Sequence, residues 1–421
     1  MRISGVEAEE LARVYATPVL VINVDAVDAA IVSLQVACAP HDFEISYAAK
    51  AFICVEFARH LAAHPGIGLD VCSLGELLTA ERAGFARERL TFHGAGKSDE
   101  ELQAVAEGRV GCIVVDGLEE LKRLARLEFA RNDMQVMLRI NTGIEAHTHA
   151  FIRTGGSGTK FGFSQGDEEA AAAVFKTHPR LRFSGLHAHI GSQIYETAPF
   201  VANSHALIEA AARFACHGLV SERIVVGGGF GVQMQPEADD QTLDVSAALS
   251  DVARCVRECA SALAIPAPRV AIEPGRSVVA NAGTTLYRVL AIKRQDARTF
   301  AIVDGGMFEN PRPALYGALH HVSAVTPRSG ELVEMTICGR TCENDELVRW
   351  GRLPEDLEAG DLLAMRTTGA YTYSMASNYN RFMRPAVAAV LAGEHRLWIA
   401  REELEDVLRH DVHPAVHAER S

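Results

Sequence analysis

The sequence predicts an α/β protein: a (β/α)8 barrel followed by a C-terminal all-β domain, which an N-terminal strand joins. Three observations predict it. Short β-rich runs recur eight times in the first two thirds of the chain, each followed by a helix-like segment. Several runs are apolar on both faces, as Cys112-Ile113-Val114-Val115 shows, which is the pattern of a parallel sheet covered on both sides. After Ala282 the texture changes to strand-like runs without long helices between them. A doubly wound open sheet is the competing architecture for the alternating part.

In chain order, the apolar run Pro18–Val24 lies outside the eight units and is expected to pair into the β-domain. The eight runs are Ile45–Ala51, Ile67–Ser73, Leu90–Gly96, Gly111–Gly117, Gln135–Asn141, Phe183–Gly191, Arg223–Gly229 and Arg269–Ser277. Between them, Leu74–Ala83 and Glu100–Ala106 place apolar residues at helical spacing, and Asp167–Lys176 is rich in alanine, a strong helix former. The longer stretch Thr142–Gln165 holds several Gly, Ser and Thr residues and reads as a functional loop. Thr284–Lys293, Thr299–Val303, Leu332–Cys338, Asp361–Arg366 and Arg396–Ala400 read as strands of the last domain. The expected divisions are residues 1–25, 26–282 and 283–421.

Composition narrows the function classes. The 421 residues are 48% hydrophobic and 23% charged, ordinary for a soluble globular protein. Lys plus Arg is 41 and Asp plus Glu is 54, so the net charge is −13, which argues against a broad nucleic-acid surface. A local arginine cluster can still hold a small anion. Nine cysteines, an odd number with no CxxC pair, argue for a reducing cytoplasm rather than a disulfide framework. Met1–Ala16 has no apolar signal-peptide core, and Pro18–Val24 is too short to span a bilayer. No membrane partner is expected.

A barrel enzyme works at the C-terminal ends of its strands. Those ends carry Lys50, Asp70, His93, Arg139 with Asn141, His187 with His189, the Gly227–Gly229 loop, and Glu273 with Arg276. Six of the eight ends thus present an ionisable group. A lysine in a barrel mouth is partly desolvated, which favours its neutral amine and makes Lys50 a competent Schiff-base amine. A snorkelling lysine is the structural alternative. Gly227-Gly228-Gly229-Phe230-Gly231 would offer backbone N–H groups to an oxyanion, most often phosphate, or form a tight turn. It lacks the spacing of a dinucleotide or P-loop motif. Glu273 beside Arg276 is either an ion pair or a carboxylate that keeps a heterocyclic nitrogen protonated next to an anion-binding guanidinium. His187/His189 and His147/His149 are HxH pairs, able to hold a metal or to stack on a planar cofactor. Cys342 is either a small core residue or a reactive thiol.

Taken together, the motifs resemble those of the diaminopimelate decarboxylases, within the alanine-racemase/ornithine-decarboxylase-like class of pyridoxal-phosphate enzymes. They run in order from about Pro18 to Val412: YAAKA (Tyr47–Ala51), DVCSLGEL (Asp70–Leu77), HGAGKS (His93–Ser98), EAHTHAFIRTG (Glu145–Gly155), KFGF (Lys160–Phe163) and HAHIGSQI (His187–Ile194). GGGFG (Gly227–Gly231), EPGRS (Glu273–Ser277), VDGGM (Val303–Met307), RPALYGA (Arg312–Ala318), TCE (Thr341–Glu343) and GAYTYSMASNYN (Gly369–Asn380) complete the series. Each is weak alone, and the ordered set is specific.

The resemblance implies pyridoxal 5'-phosphate as cofactor and decarboxylation of meso-2,6-diaminopimelate to L-lysine and CO2, the last step of lysine biosynthesis. It implies that Lys50 holds the cofactor covalently and reprotonates the product carbon. His189 would stack on the ring, Glu273 would pair with the ring nitrogen, and Asp70 would support the cofactor. Ser192, the Gly227, Gly228 and Gly229 backbone, Arg276 and Tyr371 would take the phosphate side of the cofactor. Arg276, Arg312, Tyr316 and Tyr371 would grip the substrate's distal carboxylate, Glu343 its distal ammonium, and Cys342 would act as general acid. In the family the Cys342, Glu343 and Tyr371 positions come from near the dimer partner, which implies a homodimer with shared active sites. No metal is implied.

The chemistry agrees with that resemblance. Decarboxylation leaves a carbanion that needs an electron sink. Two arginines plus Glu343 suit a zwitterionic far end, whereas ornithine, arginine or lysine would need only a carboxylate there. The sequence departs from the family pattern at Phe308-Glu309-Asn310-Pro311, where Asn-Asp is usual, in a segment that helps set substrate length. Asn344 replaces a usual serine, with the following acid read as Glu346. Three other readings stand beside the main one: the same chemistry on another amino acid with a charged distal end, a metal-dependent hydrolase built on the HxH pairs, and a non-catalytic pyridoxal-phosphate carrier.

Overall fold

The computed structural model describes residues 1–144, 160–234 and 242–412. The chain divides into two units, one of Met1–Ala26 with the chain from Ala280 onward, the other of Val27–Gln233 with the stretch ending at Val279. At the N-terminus, β1 (Arg2–Ile3) and β2 (Val6–Glu7) make a short antiparallel pair. Helix α1 (Ala8–Tyr15) follows and buries Leu11 and Ala12. Then come β3 (Val19–Asn23) and α2 (Val24–Cys38).

The second unit is a closed parallel barrel. Its strands are β4 (Glu44–Ala48), β5 (Ile67–Val71), β6 (Leu90–Phe92), β7 (Cys112–Val115), β8 (Met134–Arg139), β9 (Leu181–His187), β10 (Arg223–Val225) and β11 (Arg269–Ile272), with β11 closing on β4. Helices α3 (Val55–Ala62), α4 (Leu74–Arg82), α5 (Asp99–Ala106), α6 (Leu118–Ala125), α7 (Glu168–Thr177), α8 (Ala198–Cys216), α9 (Val245–Ala262) and the short α10 (Arg276–Val279) follow the strands in turn. The open-sheet alternative is thereby excluded. All eight expected runs overlap a barrel strand, but the ladders stop earlier than the runs do. Gly94 and Gly227, both with positive φ, take the chain out of the sheet after β6 and β10. Beyond β9, β10 and β11 the chain stays mostly buried, whereas Cys72 after β5 and Gly96 after β6 are exposed.

Local sequence signals place the helix starts. The Ser73 hydroxyl accepts from the Glu76 N–H at 3.2 Å, and Ser98 and Glu101 form a reciprocal capping box on α5. Both read as Ser-x-x-Glu in the chain. Inside the barrel, Cys112, Val114, Met137, Val225 and Ala271 form one buried cluster. Gly185 permits β9 and β10 to pack, since a Cβ there would lie 1.7 Å from the Arg223 carbonyl oxygen.

The other unit is a mixed sheet. Its elements after β3 are β12 (Gly283–Gln295), β13 (Arg298–Val303), α11 (Arg312–Tyr316), β14 (Val322–Ala324), β15 (Leu332–Cys338), β16 (Glu346–Pro354), β17 (Leu362–Arg366), β18 (Ala386–Leu391), β19 (Glu394–Ile399) and α12 (Leu404–Leu408). Strand β3 lies between β12, antiparallel to it, and β18, parallel to it. β14, β16 and β18 are strands that the sequence reading omitted. β18 is rich in alanine, which favours helix, yet its first five residues are buried, and pairing to β3 and β19 on both edges overrides that propensity.

One buried ion pair ties two loops at the barrel's C-terminal rim. Lys97 Nζ donates to the Gly94 and Val114 carbonyls, both at 2.7 Å, and to Glu120 Oε1 at 2.8 Å. Glu120 in turn accepts from the Asp116 and Lys97 N–H groups. Removing one partner leaves an uncompensated buried charge. Lys97→Ala is expected to lower the unfolding free energy by about 3–5 kcal/mol, measured by urea titration; a loss below about 1 kcal/mol would show that the pair does not hold the rim.

Candidate active site

The C-terminal mouth of the barrel encloses a cavity of about 190 Å³ whose walls include Lys50, Asp70, His93, His189 and Glu273. Glu273 stands just beyond β11 and is almost fully buried. Its Oε2 accepts from His187 Nε2 at 3.0 Å, and His93 Nε2 lies 3.4 Å from its Oε1. Burial alone would raise its pKa, but the surrounding imidazoles, His187 first and then His93, outweigh it and hold the carboxyl well below the usual range. His187 is pushed down to about 4, chiefly by burial, so it is neutral at pH 7 and donates Nε2–H.

Asp70, at the end of β5, accepts from Ser46 Oγ at 2.6 Å and lies 3.3 Å from His93 Nε2. Burial first, and the nearby Glu273 charge second, push its pKa up. The two carboxyls on either side of His93 are therefore driven in opposite directions. His189 is half-buried, and its Nδ1 accepts the Gly228 N–H at 3.3 Å. That bond requires a lone pair on Nδ1, so the ring is neutral with its proton on Nε2. Burial, followed by the charge of Lys50, lowers its pKa well below the ordinary value.

The glycine run after β10 is packed against its neighbours. A Cβ on Gly228 would lie 2.0 Å from the Glu273 carbonyl oxygen, and one on Gly229 would lie 2.2 Å from the Gly191 carbonyl oxygen. Gly227 and Gly229 both have positive φ. The Ile194 N–H donates to the Gly229 carbonyl, so this run and the Gly191-Ser192 turn form one cradle. Arg276, buried at the start of α10, donates Nε–H to Ser192 Oγ at 3.1 Å.

Two expectations are corrected here. Lys50 does not end a strand: β4 stops at Ala48, and Lys50 occupies a 3-10 turn, Ala49–Ala51. It is also exposed, so the polypeptide of this unit does not supply the desolvation expected for it. The HxH residues His187 and His189 do not act as a pair, because one faces Glu273 and the other the glycine cradle. Instead His93, His187 and Glu273 lie within reach of one another. His147 and His149, with the motif Glu145–Gly155, lie outside the described residues.

In the other unit, Arg312 is buried in α11, with its guanidinium 5.0 Å from the Tyr316 ring and 5.5 Å from the Tyr371 ring. Tyr371 has a φ of 60°, an uncommon conformation for an aromatic residue and one found at functional sites. Cys342 and Glu343 are exposed. The Cys342 N–H donates to Asn380 Oδ1 at 3.0 Å, and Tyr379 donates to Glu343 Oε1 at 2.5 Å. The acid that organises this loop is Asp345 rather than Glu346: it accepts from the Met307 N–H at 2.7 Å and from the Thr341 hydroxyl at 2.6 Å. Glu346 instead pairs with Arg298 and Arg349. Phe308, Glu309, Asn310 and Pro311 are all buried, with Phe308 stacked on Phe382 and Glu309 accepting from Tyr287. Their departure from the family pattern is thus absorbed within this unit.

The sequence marks His93 and Arg139 only as strand-end residues, and His187 as a strand-end residue and a member of an HxH pair. The structure puts His93 and His187 on Glu273, and Arg139 over the Phe161 ring at 4.1 Å. Their position at the same rim was the signal; which carboxylate they face was not legible.

Between pH 6.5 and about 4, unfolded chains carry a proton on His187 that the folded chain does not. Unfolding therefore takes up a proton, and stability falls as pH drops through that window. The urea midpoint of the wild type is expected to fall more steeply over this interval than that of His187→Gln. Equal slopes would contradict the buried neutral imidazole.

Comparison with known proteins places this geometry. Residues 25–280 match the family described as pyridoxal-dependent decarboxylase, pyridoxal binding domain. The chain is 41% identical to the diaminopimelate decarboxylase of Bacillus subtilis (strain 168), over 98% of this chain and 95% of that protein. It is 41% identical to that of Actinosynnema pretiosum subsp. auranticum, over 97% and 92%. Among solved structures, the M. jannaschii diaminopimelate decarboxylase in co-complex with L-lysine superposes with a TM-score of 0.88 at 29% identity, covering 97% of this chain and 95% of that one. The Helicobacter pylori enzyme complexed with L-lysine gives 0.84 at 31% identity, covering 95% and 98%. With a barrel mouth of this composition and relatives matched along nearly the whole chain, the protein belongs to the diaminopimelate decarboxylase family of pyridoxal-dependent decarboxylases.

Proposed function

We propose that the barrel mouth is where this chain decarboxylates meso-2,6-diaminopimelate to L-lysine and CO2, with pyridoxal 5'-phosphate as cofactor. The observation that carries the reading is one cavity holding a lysine, an ionised glutamate and a neutral, half-buried histidine hydrogen-bonded to a glycine cradle. The residues fit the cofactor. Gly227–Gly229 leave no room for side chains and present backbone, as a phosphate site requires. Ser192 and the buried Arg276 stand beside that cradle with a hydroxyl and a guanidinium. Asp70 Oδ2 and His187 Nδ1 are buried with no hydrogen-bond partner among the described residues, so polar capacity remains around the cavity.

When bound, pyridoxal phosphate supplies an electron sink for the pair left by the departing carboxylate. Glu273 would keep the ring nitrogen protonated, with His187 keeping Glu273 ionised and oriented. His189 would support the ring, its tautomer fixed by the Gly228 N–H. Lys50 would hold the cofactor and would be the amine placed to return a proton to the product carbon. His93 Nε2 lies between Asp70 and Glu273 with no hydrogen-bond partner among the described residues, so it too offers polar capacity to the cavity. Arg312, with Tyr316 and Tyr371 against its guanidinium, binds the distal carboxylate; Glu343 binds the distal ammonium; Cys342 is the general acid. The buried Phe308–Pro311 segment supports the ordinary family substrate, because its side chains are taken up in packing.

The working form is a homodimer with shared active sites. Cys342 and Glu343 lie exposed on their unit, as do Trp350 and Leu319, which line one shallow groove there. Exposed apolar residues of that size fit a surface covered by a second copy. The compartment is the cytoplasm: all nine cysteines are free, and among the described residues no helix is long and apolar enough to cross a membrane.

Mass spectrometry of cofactor-loaded protein with meso-diaminopimelate is expected to show lysine and CO2 from the wild type and none from Lys50→Ala. A yellow, cofactor-loaded wild type that yields no lysine would sink the substrate assignment. Cys342→Ala is expected to lose about 10²–10⁴ in kcat with a small change in KM. Mixing the two crippled variants after dissociation should restore up to about a quarter of wild-type activity, since half the dimers are then mixed and each carries one intact site. No recovery would exclude shared sites.

A further inference from the structure

Away from the barrel mouth, three side chains from two helices converge on one point. Asp28 is carried by α2, His60 lies in the last turn of α3, and His64 follows shortly after its end. Ala63 keeps helical angles (φ −72°, ψ −18°), so His60 and His64 retain i, i+4 spacing on one face. Arg89 fixes the chain there by donating to the carbonyls of Ala62, His64 and Ile67. Its guanidinium is thereby committed to backbone oxygens.

Asp28 Oδ1 lies 2.5 Å from His60 Nε2 and 3.0 Å from His64 Nε2, and the two Nε2 atoms are 3.4 Å apart. The rings meet edge-on, with centroids 5.1 Å apart. In a tetrahedral zinc site, nitrogen ligands at ~2.0–2.1 Å from the metal stand ~3.3–3.4 Å from each other. The two imidazoles already have that separation. The carboxylate oxygen must retreat by less than about 1 Å to reach the same spacing, and its side chain is the most exposed of the three, at 34%. The imidazoles are half-buried, at 18% and 20%, so the site is recessed yet open on one side.

We infer that Asp28, His60 and His64 bind a borderline divalent transition metal of the Zn²⁺ class, with three protein ligands and a fourth position open to water. Two imidazoles and one carboxylate favour such an ion over Ca²⁺ or Mg²⁺, which take oxygen ligands. Binding displaces the protons shared between the imidazoles and the carboxylate and clamps α2 to α3. The site is separate in its residues from the His93–His187–Glu273 group, which belongs to the reaction cavity.

The test uses chelator-treated, cofactor-loaded enzyme titrated with Zn²⁺ alone by calorimetry. One ion per chain is expected for the wild type. Binding should disappear in His60→Ala/His64→Ala and weaken at least about tenfold in Asp28→Asn, the cost of losing even an outer-shell partner. Zn²⁺ should also raise the unfolding temperature of the wild type and not of the double variant. Decarboxylation should be unchanged in every variant, which confirms that each is folded; should the double variant not fold, His60→Gln and Asp28→Asn carry the same readouts. A wild type that takes up no Zn²⁺, or one ion per chain persisting in the folded variants, overturns the assignment.

Discussion

Glu273 places a negative charge in the interior of a barrel, and its neighbours are arranged to keep that charge there. A buried carboxylate surrendered to burial alone would take up a proton and be useless as a counter-ion. His187 prevents this with a 3.0 Å hydrogen bond, and the same burial that would neutralise Glu273 keeps His187 itself uncharged. Asp70, close by on the far side of His93, is pushed the other way. Two carboxyls in one cavity are thus pushed in opposite directions because their partners differ.

The rest of the barrel serves that arrangement. The Glu273 carbonyl oxygen sits where only a glycine at position 228 can approach, so the strand that bears the carboxylate also packs the cradle. The Gly228 N–H in turn fixes the tautomer of His189. A single contact series therefore sets the counter-ion, the ring support and the phosphate cradle. The Lys97–Glu120 pair secures the neighbouring rim in a different way, with all three ammonium donors directed at oxygen atoms. In the other unit, Asp345 links the Cys342 loop to Met307 through backbone and hydroxyl donors, which places the reactive loop by hydrogen bonding rather than by apolar packing.

Much of this was legible in the sequence because barrel chemistry sits at strand ends and barrel strands are apolar on both faces. Lys50, Asp70, His189 and Glu273 could be picked out by position alone. Lys50 shows the limit: its run is apolar through Ala51, but the ladder ends at Ala48, since continued burial does not require continued pairing. The pairing of His187 with Glu273 was hidden because 86 residues separate them and alternation says which face a side chain takes, not what it meets. In the β-unit, β18 was missed because its alanines carry no strand signal of their own and become a strand only between β3 and β19. That Asp345 and not Glu346 turns inward is not legible from the motif, since which of two adjacent acids does so depends on the loop.

The most direct measurement of the Glu273 arrangement is the nitrogen-15 NMR shift of ring-labelled pyridoxal phosphate bound to the wild type and to Glu273→Gln. A ring nitrogen that stays protonated across the neutral range in the wild type and loses its proton in the variant is the predicted result. An unprotonated nitrogen in the wild type, or a protonated one in both, would contradict the role assigned to the buried carboxylate.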